Sequence, residues 1–261
     1  KTRMGQSVLD RFLRYVVIDS QSEENSPTFP STSRQFNLLR LLADELQAIG
    51  LTDVTLDEYG YVFATIPATS STDVPVIGFI AHVDTSPEMS GRDVRPIVHR
   101  NYQGQDLVLP DDRSTVLRLS ENPALEEQIG HDIVTASGTT LLGADNKAGG
   151  AEIVAPAEYL MAHPEIPHGT IRVGFTPDEE VGAGTKYFDV ARFGAKYAYT
   201  MDGGRRGELE TERFSADAMT FAFRGLNTHP GYAKGKMVNA IKVAADFIHR
   251  PPKGALSPRS T

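Results

Sequence analysis

The chain has 261 residues, enough for one large domain or two smaller ones, and no cysteine, which excludes disulfides, thiolate metal sites and a cysteine nucleophile. A formal charge of −8 argues against a general nucleic-acid binder. No apolar run approaches the roughly 20 residues of a membrane span and no signal-peptide core opens the chain, so a soluble cytoplasmic protein without membrane partners is expected.

In chain order, Ser7 to Val17 sets Val8, Leu9, Phe12, Leu13 and Val16 at helical spacing, with Ser7 as the expected cap. Thr32 to Ile49 repeats the pattern through Phe36, Leu39, Leu42 and Leu46, and Gly50 stands where a helix C-cap belongs. Val54 to Leu56 and Tyr61 to Ile66 flank a turn and predict a hairpin, while Val74 to Val83 is a near-continuous apolar run expected of a strand covered on both faces. From Ser86 to Thr140 prolines and scattered charges predict loops and short strands. Leu141-Leu142 then lead into GADNKAGG and a helical run that Pro156 should kink. Thr170 to Thr176 and Ala195 to Met201 predict two more strands, Glu208 to Phe223 has mixed strand character, and Asn239 to His249 predicts a helix. The last dozen residues carry no core signal.

Between these elements the acids are not scattered. Val173 to Gly184, VGFTPDEEVGAG, ends a strand in Asp178, Glu179 and Glu180, with Pro177 to stop the ladder and Gly182 and Gly184 to permit a turn. His82 and Asp84, Asp145, and Asp202 also fall at or just after predicted strand ends, and a parallel sheet brings such ends to one edge. A two-metal hydrolytic site needs a bridging carboxylate, His or carboxylate ligands on each ion and a general base, and this set supplies nearly all of them. Residues 82 and 84 alternate across an extended strand, so one is a ligand and the other orients it, or the strand ends between them. The bland alternative for the Asp178 turn alone is a solvated acidic loop. His99, His131, His163, His168 and His249 have no acid at ligand spacing and read as surface or structural residues.

AHVDTSPEMSG, LLGADNKAGG, FTPDEEVGAG, AYTMDGG with GELE following, and HPGYAKGKMVNA occur in order over almost the whole chain. Jointly they resemble the tripeptide aminopeptidases of the peptidase T family, di-zinc exopeptidases related to carnosinase-like dipeptidases and glutamate carboxypeptidases. The resemblance implies an α/β catalytic domain with a mixed, largely parallel sheet and helices on both faces, interrupted by a smaller α+β lid. It assigns residues 1–212 to the catalytic domain and 213–261, from near Arg213, to the start of the lid. It also implies two divalent metal ions, expected to be zinc. Asp145 would bridge them, His82 and Asp202 would complete one ion and Glu180 would bind the other. Glu179 would be the general base, Asp84 the orienting partner of His82, and His229 the lid histidine that meets the substrate carbonyl. The implied activity is release of the N-terminal residue from short peptides, chiefly tripeptides, by a protein that can form a homodimer. A related dipeptidase, an acylamino-acid deacylase or a truncated non-catalytic relic are the alternatives. Two departures stand out. Asn146 occupies a position where the family usually has a second aspartate, and the family's later metal-binding histidine and glycine-rich loop lie outside these 261 residues, so the chain alone is expected not to act.

Overall fold

Residues 2–204, 206–212 and 219–250 are described in a computed structural model of the chain. The chain divides into two compact units, Lys1–Gly204 and Arg205–Thr261. In the first, α1 (Arg3–Val16) begins earlier than the apolar spacing suggests. Thr2 is its N-cap, with Oγ1 accepting from the Gly5 N–H at 3.1 Å, an interaction typically worth about 0.5–2 kcal/mol. Ser7 lies inside the helix, hydrogen-bonded by Arg11, so it is not the cap. α2 (Gln35–Ile49) starts three residues later than predicted and ends as expected, with Gly50 left-handed at φ 98° and its N–H bonded to the last turn. The partly buried Glu45 of α2 accepts from Arg11 Nε at 2.9 Å and Tyr15 Oη at 2.6 Å, tying the first two helices together.

Strands β1 (Thr52–Leu56) and β2 (Val62–Ile66) form the predicted hairpin, and β3 (Ile77–His82) ends at the histidine. The poorly periodic stretch holds two small ribbons, β4 (Ile97–His99) with β7 (Ile133–Thr135) and β5 (Leu107–Val108) with β6 (Val116–Leu117). α3 (Ala144–Ala162) runs on through Pro156. That proline lines an apolar cleft with Ile66, Phe79, Ile171 and Met201. β8 (Ile171–Thr176), α4 (Val190–Phe193) and β9 (Tyr197–Thr200) complete the unit.

The main sheet is mixed, in the order β1-β2-β8-β3-β9: β1 and β2 join antiparallel, β8, β3 and β9 run parallel. Period-two alternation divides its faces. Val62, Ala64 and Ile66 enter the large core with α1, α2 and α3, whereas Tyr61 and Phe63 join Phe193 of α4 and Phe188 on the other side. Gly78 and Gly174 have no side chain because the Phe193 ring lies against both positions. Helices thus cover both faces of an α/β sheet. No described helix is long and apolar enough to cross a membrane.

In the second unit, α5 (Ala240–Ile248) is capped by Asn239, whose Oδ1 accepts from the Ile241 and Lys242 N–H groups. The strand expected over Glu208 to Phe223 is not found at 208–212 or 219–223, and 213–218 lie outside the described residues. So do Arg213, where the lid was expected to begin, and the final stretch 251–261.

Candidate metal centre

The register of the three parallel strands assembles the site. His82 pairs with Thr176 across β3 and β8, and Ile80 with Thr200 across β3 and β9, so Asp202 arrives level with His82 at the carboxyl edge. Ladder bonds continue one residue past the strands, Val83 N–H to Thr176 O at 2.9 Å and Met201 N–H to Ile80 O at 2.8 Å. Asp145 arrives differently. No strand precedes it, contrary to expectation; a loop leads through left-handed Gly143 to the first turn of α3, where Asp145 and Asn146 still have non-helical dihedrals.

Among the described residues, His82, Asp145 and Asp202 offer nitrogen and oxygen atoms that all lie within 4.8 Å of one another. His82 is buried, and its Nε2 stands 2.9 Å from Asp145 Oδ1, 3.9 Å from Asp202 Oδ1 and 3.8 Å from Glu179 Oε2. Its Nδ1 faces the backbone oxygen of Asp84 at 3.0 Å and Asp84 Oδ1 at 3.2 Å. β3 ends at His82, which resolves the alternation problem: Asp84 lies on the Nδ1 side of the ring and orients it, while Nε2 faces the carboxylates of Asp145 and Asp202. Acceptors at both nitrogens, Asp84 at Nδ1 and Asp145 at Nε2, favour a doubly protonated ring here; a divalent ion would replace the Nε2 proton while Asp84 keeps the one on Nδ1.

The Asp178 turn divides its three acids. Glu179 is exposed and Glu180 half-buried, but Asp178 is only 1% exposed and bonds to Ser31 and Gln35 instead of facing the centre, so the expectation of three acids offered together is corrected. Asp84, fully buried, accepts from the Glu179 N–H at Oδ1 (3.0 Å) and the Glu180 N–H at Oδ2 (3.1 Å). One carboxylate therefore fixes both the histidine and the backbone of both glutamates. Sequence spacing could not show this, because the contacts span 95 and 96 residues.

Electrostatics follow from crowding. Burial pushes the His82 imidazolium down, but hydrogen bonds to Asp145 and Asp84 and the charges of Asp84 and Asp202 overcome it and raise the ring to about 10. Bonding to His82 holds Asp145 below the usual carboxylate range, while burial lifts Asp202 above it. Glu179 is raised first by burial and further by Asp202, Asp84 and Asp145 against the pull of His82. Glu180 is raised by burial and then by Asp145. Lys147, buried with Nζ on the Ile18 carbonyl at 2.7 Å, is pushed by burial down to about 8.

Gly149 couples two of these segments. A Cβ there would collide with the Met201 carbonyl oxygen and Asn146 Oδ1, the residues adjoining Asp202 and Asp145. Gly149→Ala is expected to cost about 1–3 kcal/mol of stability by overpacking and to weaken divalent-metal binding. Gly150→Ala, whose added carbon would meet only Phe175 at 3.8 Å, is the control. Thermal melts and metal titrations of the pair decide it, and equal behaviour would refute the coupling.

His229 belongs to the second unit, where its Nδ1 accepts from the Gly231 N–H at 3.1 Å. The other described histidines hold local bonds: His99 to Thr135, His131 to Gln128, His163 to Tyr159, His168 to Gly169 and His249 to Ala245.

A family model, the peptidase dimerisation domain, matches residues 211–260. Peptidase T of Geobacillus sp. (strain WCH70) is 53% identical over 249 residues, covering 95% of this chain and 61% of that protein. Among solved structures, the aminopeptidase PepT from Bacillus cereus ATCC 10987 matches with a TM-score of 0.62 and 25% identity over 95% of this chain and 57% of that one. A tripeptidase from Staphylococcus aureus subsp. aureus Mu50 matches with a TM-score of 0.62 and 24% identity, over 94% and 56%. The chain therefore spans 61% of the length of the curated relative it matches at 53% identity. Over the 249 residues that align, the chain is similar to peptidase T, and its fold resembles that of the PepT structure.

Proposed function

We propose that the protein carrying this chain is a metal-dependent aminopeptidase that releases the N-terminal residue from short peptides, tripeptides above all. The observation that carries this reading is the buried His82 with Asp145 and Asp202 around its Nε2 and Glu179 beside them. The names of its relatives, peptidase T and a tripeptidase, support the substrate class.

The donor set fits divalent metal. One imidazole nitrogen with its proton fixed on the far side, and several carboxylate oxygens crowded onto it, is a combination suited to zinc. His82 and Asp202 would hold one ion, Glu180 the other, and Asp145 would serve both. When bound, such ions lower the pKa of water and polarise a carbonyl. Glu179 takes the proton of the attacking water and returns it to the leaving amine, a task helped by a carboxyl already raised above its ordinary range. Asp84 holds His82 and the two glutamate amides in place. In neutral His229, Nδ1 is occupied as an acceptor, so the proton lies on Nε2, which can donate to a substrate carbonyl oxygen. We assign residues 1–212 to the catalytic domain and 213–261 to the start of the lid. The match of 211–260 to a dimerisation domain supports a homodimer, and we place the protein in the cytoplasm.

Chelation of the whole protein should abolish tripeptide hydrolysis and zinc should restore it. A free amino terminus should be required. Cleavage of an N-acetylated tripeptide as fast as the free one would overturn the aminopeptidase assignment in favour of a deacylase.

A further inference from the structure

Asp178 is a buried acid without a part in the chemistry above. Its Oδ2 accepts from the Ser31 N–H at 2.6 Å, and its Oδ1 from Ser31 Oγ at 2.5 Å and Gln35 Nε2 at 2.6 Å. Its own N–H donates to Gln35 Oε1 at 3.1 Å, so the Gln35 amide is engaged at both ends by one residue. Ser31 is held in turn, with Oγ accepting from the Glu23 N–H at 2.9 Å. Asp178 also has φ 56°, the left-handed region that costs an ordinary side chain about 1–3 kcal/mol and persists only where its surroundings enforce it.

That conformation reverses the chain at the point where direction matters. The Asp178 carbonyl accepts from the Ala183 N–H and the Glu179 carbonyl from the Gly182 N–H, closing the turn, while the next two amides point at Asp84. The side chain of 178 thus goes into the protein, and those of 179 and 180 are left at the carboxyl edge of the sheet.

We propose that Asp178, clamped by Ser31 and Gln35, is the positioning residue that aims Glu179 and Glu180 at the metal centre. The proposal rests on reading Glu179 as base and Glu180 as ligand. Every contact its carboxylate makes is to a donor, so an acceptor-only group is required. Asp178→Asn tests this cleanly, because asparagine tolerates left-handed φ and the backbone preference is unchanged. With its nitrogen at the Oδ1 position, the new side-chain amide faces the Gln35 amide donor-to-donor. Flipping Gln35 relieves that clash but turns its NH2 onto the N–H of residue 178. With the nitrogen at the Oδ2 position, the new amide faces the Ser31 N–H. No arrangement satisfies all groups.

The double variant Asp178→Asn, Gln35→Glu restores the pattern with the same net charge. The carboxylate at 35 accepts from both the amide side chain and the N–H of residue 178, and the amide oxygen at 178 takes the Ser31 N–H. In hydrogen–deuterium exchange of the whole metal-free protein, segment 177–183 should exchange faster in D178N and return to wild-type behaviour in the double variant. In the metal-loaded protein, kcat for a tripeptide should fall about 10–100-fold with little change in KM, then recover in the double variant. Wild-type exchange in D178N, or a double variant no better than the single, overturns the proposal, also if D178N folds poorly. A wild-type protein without tripeptide turnover would defeat the reading of the site, and the exchange pattern alone would then decide whether Asp178 holds the turn.

Discussion

Glu179→Ala is expected to keep its metal and lose turnover by about 100-fold or more, whereas Glu180→Ala should lose metal at one site. The structure gives the neighbouring glutamates different surroundings. The charge felt most by Glu179 is that of His82, then Asp202, and its Oε2 lies 3.8 Å from His82 Nε2. For Glu180 it is Asp145. In the proposed assignment, the residue beside His82 is the base, and the one that feels Asp145 most is the ligand of the second ion. Because the Glu179 and Glu180 N–H groups bond to Asp84, removing either side chain leaves the turn anchored. A loss of function can then be read as loss of that carboxylate. Metal analysis after dialysis, paired with single-turnover rates, separates the two. Equal metal loss in both variants would show that Glu179 is itself a ligand, as its nearness to His82 also permits, and would end the division of roles.

How far the sequence carries the reader depends on range. Periodicity and end signals placed α2, β2, β3, β8 and α5 because apolar spacing and local caps such as Gly50 are short-range matters. The start of α1 came too late, since Arg3 to Gln6 show no apolar pattern and the cap is made by Thr2 alone. The ligand-type residues were legible because three of them follow parallel strand ends, and the register then brings them together. Asp145 reaches the same edge by another route than expected, entering from a loop at a helix start. What stayed hidden is the support. Ser31 and Gln35 meet Asp178 across 147 and 143 residues, and nothing in a serine-rich loop or at the head of a helix announces that partner. The acidic run was uniform as text but divided in space, one acid turned inward and two outward. Gly149 was visible only as part of a glycine pair, and its reason, the carbonyl of Met201, is a contact between distant segments.

Asp84→Asn should be the most damaging near-isosteric change in the centre. Three donors converge on the side chain of this fully buried residue: His82 Nδ1 and the Glu179 N–H at Oδ1, and the Glu180 N–H at Oδ2. An amide oxygen at the Oδ1 position serves the first two, but its nitrogen then confronts the Glu180 N–H. Reversing the amide satisfies Glu180 and sets the nitrogen against both other donors. Either way a buried donor loses its acceptor, at a cost of about 1–3 kcal/mol. The functional loss should be larger than the loss of stability. If Nδ1 gives up its proton to accept from the new amide, the neutral ring keeps its proton on Nε2, bonded to Asp145, and no longer offers that nitrogen to a metal ion. If the Nδ1 proton stays, the ring or the glutamate turn must shift. Metal affinity should fall about 10–100-fold, and turnover by at least as much, because the proposed base and the proposed second-ion ligand share the displaced backbone. Calorimetric metal titration beside a thermal melt distinguishes this from simple unfolding. A folded Asp84→Asn protein that binds metal and hydrolyses tripeptides like wild type would mean that His82 and the acidic turn are held by something other than this carboxylate.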